Sequence, residues 1–96
     1  MSEANLKPGS TVYSVATGRV SIFSKASRDA VKYVSKLDGI IGVNVHDDFT
    51  LWFFDSANNA KMARNLMEDK GIACGKNICE FRVADDGVPE MVGGIE

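Results

Sequence analysis

The chain has 96 residues and a net charge of −2 at pH 7, from 11 basic and 13 acidic side chains. This length fits one domain rather than two, and an apolar content of 45% is ordinary for a globular domain and argues against global disorder. The slightly acidic balance disfavours extended contacts with a phosphate backbone, which normally need a basic patch.

Nothing in the sequence suggests export or membrane insertion. No apolar run approaches the roughly 20 residues that a membrane-spanning helix needs, and residues 1–5 are not a basic region followed by an apolar stretch. The two cysteines, Cys74 and Cys79, fit a reducing compartment in which both thiols stay free. We therefore expect a cytoplasmic protein that makes no contact with a membrane.

The first part of the chain predicts an arm followed by a hairpin. Residues 1–10 are polar and predict a flexible N-terminal arm. Residues 11–15 are rich in β-formers and predict a short additional strand. A turn at Gly18, a residue that adopts positive φ at little cost, then leads to a core strand at residues 20–23.

Apolar residues spaced three and four positions apart predict two helices. The first is predicted to begin at Ser27, a good N-cap residue, and to end at Gly39, with one apolar face formed by Ala30, Val31, Val34 and Leu37. The second is capped by Asp55 or Ser56 and closed by Gly71, with one apolar face formed by Ala60, Ala63, Leu66 and Met67.

Three strands complete the predicted elements. Ile40–Val45 and Phe49–Phe54 flank a turn at residues 46–48, so they are close enough only for an antiparallel hairpin. Residues 78–83 alternate in polarity and predict the last strand. Residues 85–96 contain turn formers and predict a flexible C-terminal tail.

The resulting order is β-α-β-β-α-β in a single α+β domain at residues 11–84, a ferredoxin-like plan. Right-handed crossovers would place both helices on one face of an antiparallel sheet, with residues 20–23 and Phe49–Phe54 as the central strands. Alternation directs one set of side chains toward the helices: Val20, Ile22, Ile41, Val43, Val45, Cys79, Phe81 and Val83. The open face then receives Arg19, Ser21, Phe23, Asn44, Glu80 and Arg82.

The strand Phe49–Phe54 departs from this alternation because it is apolar on both faces. Such a strand is normally buried on both sides, so something is expected to cover the open face. The alternatives are the N-terminal arm or the C-terminal tail, a contact surface for another chain including a second copy, and stacked bases. The predicted binding-surface residues are Phe23, Phe49, Leu51, Phe53 and Arg82.

Two partial resemblances accompany the ferredoxin-like plan. Residues 49–57 and the helix that follows resemble the third strand and second helix of the RNA recognition motif, which implies base stacking at the positions of Phe49 and Leu51. Leu51 is not aromatic, and Asp47-Asp48 replace an expected basic residue and glycine. Residues 30–72 resemble heavy-metal-associated domains, but residues 24–27 lack the cysteines of their metal loop.

No residue set in the sequence indicates catalysis, a metal site or a cofactor. His46 beside Asp47 and Asp48 is interpreted as a solvated turn rather than a catalytic pair, and Cys79 as a small core residue. Cys74 is interpreted as a loop thiol whose pKa the nearby Lys76 would lower. A basic stripe on the first helix, formed by Arg28, Lys32 and Lys36, is usually a solvated face but would also suit an acidic partner or a nucleic-acid backbone.

The sequence therefore favours a non-enzymatic adaptor or inhibitor that acts by protein contact, or as a homodimer, through the open sheet face. Such a small acidic domain would also suit a phage or mobile-element protein. Single-stranded RNA binding on the same face is the first alternative, and a small-ligand sensor domain is the second.

Overall fold

A computed structural model describes residues 6–20 and 23–95 of the chain. Within these residues the elements are, in chain order, β1 (Thr11–Gly18), α1 (Lys25–Val34), β2 (Ile40–Val45), β3 (Phe49–Phe54), α2 (Ala57–Asp69), β4 (Cys79–Val83) and β5 (Pro89–Gly94). None of the helices in the described part of the chain is long and apolar enough to cross a membrane.

The strands form one antiparallel sheet in the order β2-β3-β1-β4-β5. Both helices contribute to one apolar cluster on the same side of this sheet, with Val34 from α1 and Met67 from α2. The predicted α+β class and the β2–β3 hairpin are confirmed. The ferredoxin-like plan is not confirmed in its exact strand order, because β5 lies at the edge beside β4.

The first core strand was placed too late in the chain. Thr11–Gly18 is one continuous strand that pairs with both β3 and β4, and Gly18 lies opposite Phe49 instead of turning the chain. The strand continues through Thr17 because this residue is buried and its hydroxyl accepts a hydrogen bond from Trp52 Nε1 at 2.9 Å. Of the predicted strand at residues 20–23, Val20 and Phe23 lie outside any strand, and residues 21 and 22 lie outside the described part.

The fifth strand comes from the segment that was predicted to be a flexible tail. Ala84 N donates to Val88 O at 3.0 Å across a tight turn in which Gly87 has a φ of +83°. This is the geometry of a three-residue hairpin loop, which the residues Asp-Asp-Gly suit well. Pro89 is the first residue of β5, a position where a strand tolerates the missing N–H.

Serine caps begin both helices. Ser24, not the predicted Ser27, is the N-cap of α1, because Ser24 is extended and its side chain accepts a hydrogen bond from the Ser27 N–H. Ser56, one of the two predicted caps, begins α2 in the same way. Gly71 ends α2 with a φ of +86°, and its N–H and that of Ile72 donate to Glu68 O and Met67 O, which is a Schellman motif.

The face of β3 that packs on the helices carries Thr50, Trp52 and Phe54, all of them buried. Cross-strand pairing puts Tyr13, Val15 and Thr17 of β1 on the same face. Thr50 is accommodated there because its hydroxyl accepts a hydrogen bond from Val20 N at 3.2 Å. The hydroxyls of Thr50 and Thr17 thus supply the polar partners that this apolar layer needs.

The opposite face of the sheet is called the helix-free face below. It carries a second apolar cluster formed by Leu6, Val12, Phe53, Phe81 and Val83, with half-buried Leu51 and Cys79 packed against it. Leu6 is 4% exposed, and the chain beside it is held to β4 by hydrogen bonds from Gly9 N to Val83 O and from Val83 N to Ser10 O. The described part of the predicted arm, residues 6–10, therefore packs against this face and the end of β4.

We expect Gly39→Ala to destabilise the protein more than Gly71→Ala. Both glycines have positive φ, which costs an L-residue about 1–2 kcal/mol. A Cβ at Gly39 would in addition meet the side chains of Asn59 and Asp55, whereas a Cβ at Gly71 would meet nothing within 4 Å. Urea unfolding of both variants measures the difference, and equal losses of stability would contradict the packing seen at Gly39.

We expect Thr17→Val to lower the free energy of unfolding by about 1–3 kcal/mol, because the buried Trp52 N–H loses its acceptor. The same substitution in a Trp52→Phe background should cost less, since no indole N–H is left unpaired. A double-mutant cycle by urea unfolding measures this coupling. A coupling energy near zero would show that the hydrogen bond does not contribute to stability.

Candidate functional site

The helix-free face holds three of the five predicted binding-surface residues. Phe49, Leu51 and Phe53 lie on this face, opposite Gly18, Ala16 and Ser14 of β1. Their exposure changes along the strand, since Phe53 is fully buried, Leu51 is half-buried and Phe49 is 41% exposed. Phe53 therefore belongs to the core, whereas Phe49, nearer the β2–β3 turn, is accessible to solvent.

A cleft of about 220 Å³ opens on this face. Its apolar lining comes from three strands, with Leu51 and Phe53 on β3, Phe81 on β4 and Pro89 at the start of β5. The remaining lining residues are Asn44, His46, Gly87 and Val88. The rings of Phe53 and Phe81 meet edge to face with centroids 5.4 Å apart, so packing holds these two lining rings in place.

Two tight turns adjoin the cleft. In the β2–β3 turn, His46 N donates to Phe49 O at 2.8 Å and the two rings stack with centroids 4.6 Å apart. In the β4–β5 turn, Asp86 Oδ1 accepts a hydrogen bond from Val88 N at 3.0 Å. Each turn carries two exposed aspartates beside its cleft residue: Asp47 and Asp48 after His46, and Asp85 and Asp86 before Gly87.

The other two predicted binding-surface residues lie elsewhere. Phe23 is 90% exposed in the turn before α1 and is not part of the sheet. Arg82 is exposed, but it points to the helix-bearing side of the sheet, opposite Thr11. This correction follows from Ile78, which is buried against the helices, so that alternation sends Cys79, Phe81 and Val83 to the helix-free face instead of toward the helices.

The β2 orientations were predicted with one error. Val43 lies opposite Trp52 and Val45 opposite Thr50, so both face the helices as expected, and Asn44 lies on the helix-free face. Ile41 does not face the helices as predicted, because the pairing of β2 with β3 shifts register between Ile40 and Gly42. Such a bulge re-aims a side chain, and Ile41 is 43% exposed.

The basic stripe is only partly helical. Arg28 and Lys32 are exposed one turn apart on α1, whereas Lys36 is exposed in the turn after the helix has ended at Val34. The three residues lie on the helix-bearing side of the molecule, away from the cleft.

The two cysteines differ in their surroundings. Cys79 is half-buried and packs against the cluster of the helix-free face, which agrees with a small core residue. Cys74 is half-buried beside α2, where its Sγ lies 3.7 Å from Arg64 O and 3.9 Å from Glu68 Oε1. Burial and the Glu68 charge raise the pKa of the Cys74 thiol, so the expected lowering by Lys76 is wrong.

Within residues 6–20 and 23–95, no three His, Cys, Asp or Glu side chains gather into a group that could hold a metal ion. His46 lies in an exposed turn, as interpreted from the sequence, and its ring contact is with Phe49. The chemistry of the helix-free face is thus that of apolar contact and negative charge.

Sequence reasoning missed Val88 and Met91, which are 50% and 64% exposed at the β4–β5 hairpin. Phe81, another cleft residue, lies on the helix-free face and not on the predicted helix-bearing face. The signal for the hairpin was present in Asp85-Asp86-Gly87 followed by Val88, because this turn chemistry between apolar residues is typical of a hairpin.

We expect Cys74 to be alkylated slowly at neutral pH, with a pH profile displaced upward from that of an ordinary thiol. Burial and the Glu68 carboxylate disfavour the thiolate and raise its pKa, so the reactive form appears only at higher pH. The measurement is iodoacetamide alkylation across pH in a Cys79→Ala background. Adding Glu68→Gln should shift the profile to lower pH, and an unchanged profile would contradict the contact between the thiol and Glu68.

Comparisons with known proteins give no relative from which a role could be transferred. The chain matches no protein-family model, no curated protein and no solved structure at a significant level. The resemblances of residues 49–57 to the RNA recognition motif and of residues 30–72 to heavy-metal-associated domains therefore remain expectations.

Proposed function

We propose that this protein is a small, cytoplasmic, non-enzymatic protein-binding module that acts as an adaptor or inhibitor through its helix-free face. The strand order β2-β3-β1-β4, with both helices against one side, supports a ferredoxin-like plan with β5 added at the edge. In such a plan the second sheet face is the surface that is left for a partner.

The observation that carries the proposal is the uneven cover of this face. Leu6 and the strands bury Phe53 completely, but the cleft beside it keeps an apolar lining that solvent reaches. Phe49, Val88 and Met91 add apolar area at or near its edges, with exposures of 41%, 50% and 64%. An exposed apolar cleft on a small domain commonly marks a contact site.

The charges around the cleft favour a protein partner over an RNA partner. Base stacking in single-strand binding is normally combined with a positively charged groove for the backbone. Here the two turns that adjoin the cleft carry four exposed aspartates, and its lining residues include no lysine or arginine. Carboxylates in these positions repel phosphate groups and do not oppose an apolar protein contact.

We expect the double substitution Phe49→Ala and Val88→Ala, the cleft variant, to weaken partner binding by about 2 kcal/mol, because it removes two exposed apolar side chains from the contact surface. Met62→Ala with Leu66→Ala is the matched control, since these side chains are similarly exposed but lie on α2. The measurement is cross-linked capture from cell extract, with and without ribonuclease, quantified for the wild type and both double variants.

Sedimentation equilibrium of the same three proteins tests whether the partner is a second copy. Proteins that the wild type and the α2 control retain, but the cleft variant loses, support the proposal, as does a mass that falls only in the cleft variant. Capture of RNA that weakens steeply with salt would support the RNA alternative instead. Identical capture and mass for all three proteins would contradict any role for this face.

A further inference from the structure

The cleft of the helix-free face and the charges beside it together define what kind of segment fits. The apolar part of the lining includes Leu51, Phe53 and Phe81, and the edge-to-face packing of the two rings fixes its shape. Val88 forms a half-exposed wall at the β4–β5 turn. On the β2–β3 side the lining is polar, with Asn44 and the exposed ring of His46.

Negative charge lies beside the cleft at both turns. Asp47 and Asp48 directly follow His46, whereas Asp85 and Asp86 directly precede Gly87, and all four are exposed. The backbone hydrogen bonds from His46 N to Phe49 O and from Ala84 N to Val88 O hold the two turns in shape. The lining residues include no lysine or arginine that would neutralise these carboxylates from within the cleft.

We propose that this cleft binds a basic segment of a protein partner, in which one large apolar side chain enters the cleft and flanking lysines or arginines pair with the aspartates of the two turns. The inference rests on the proposed function and names the chemistry of the partner. Charge complementarity of this kind gives specificity and speeds association.

The size of the cleft supports a side chain rather than a free ligand. Small-molecule sites usually enclose roughly 300–1,000 Å³. This cleft holds about 220 Å³, which suits one anchoring side chain whose backbone stays outside. Flanking residues of such a segment would lie directly over the two acidic turns.

The charges also argue against two other occupants. In a two-fold dimer formed through this cleft, the same surface would face itself, which would bring the acidic turns of both copies together. A nucleic-acid strand would place phosphates against the same carboxylates. A basic segment with an apolar anchor is the occupant that satisfies both the apolar lining and the charge.

The test is selection from a displayed library of random peptides on the full chain, followed by affinity measurement on the enriched peptides. We expect enrichment of peptides that carry one large apolar residue flanked by lysine or arginine. Their association rate should fall as ionic strength rises, because exposed charge pairs are screened.

Three variants then locate the contact. Asp47→Asn, Asp48→Asn and Asp85→Asn together keep side-chain shape and leave the turn contact of Asp86 intact, and this triple variant should bind about tenfold more weakly. The matched control neutralises three exposed aspartates on the helix-bearing side, Asp29, Asp38 and Asp69, and should retain full affinity. Val88→Ala should weaken binding of every enriched peptide by shortening the cleft wall.

The outcomes separate this inference from the proposed function. Basic peptides that lose affinity both for the Val88→Ala variant and for the triple aspartate variant support it. Two results overturn the inference and leave the proposed function standing. The enriched peptides depend on Val88 but are neutral or acidic, or they bind the triple aspartate variant with full affinity. Enriched peptides that bind without regard to Val88 overturn both.

Discussion

The burial of β3 on both of its faces is the constraint on which the rest of this structure depends. Trp52 and Phe54 form the layer beneath the helices, and Phe53 anchors the second cluster on the opposite side. A strand apolar on both sides cannot leave one face in water. The chain meets this demand with Leu6 and with β4, whose apolar side chains face away from the helices.

Leu6 and β4 cover the helix-free face of β3 only in part, and the candidate site lies where this cover ends. Leu6 packs with Phe53, Phe81 and Val83 on the helix-free face, whereas Leu51 and Phe49, nearer the β2–β3 turn, are more exposed. The same strand therefore contributes to the core at one end and to an open cleft at the other. Phe53 and Phe81 belong both to the core cluster of this face and to the lining of the cleft, so the shape of the cleft depends on core packing.

Polar groups shape the two sides of the sheet differently. On the helix side, the buried hydroxyls of Thr17 and Thr50 pair with the Trp52 indole and the Val20 N–H, so the layer is closed and satisfied. On the helix-free side, the aspartates of two turns remain exposed beside apolar surface. The helix side is thus closed by paired polar groups, whereas the helix-free side combines apolar surface with exposed acidic turns.

Much of the fold could be read from local signals in the sequence. Ser56 as a cap, Gly71 as a helix end, and the β2–β3 hairpin each rest on chemistry within a few residues, and the structure agrees with them. The double-sided apolarity of Phe49–Phe54 was equally visible, but it left open which set of side chains packs on the helices. Local propensity and alternation are enough to predict a feature when the interaction that decides it joins residues close together in the sequence.

Only the tertiary structure decided the features that depend on distant partners. Thr17 and Gly18 look like a turn until β3 pairs with them and Thr17 forms a bridge with Cys74. The orientation of Phe81 and Arg82 depends on the burial of Ile78 beneath the helices. The strand at Pro89–Gly94 has weak intrinsic propensity and exists as an edge paired with β4. The sequence by itself determined that something must cover the β3 strand. Which residues cover it, and where a cleft remains, is decided by long-range packing, because register and burial are properties of paired strands and not of single ones.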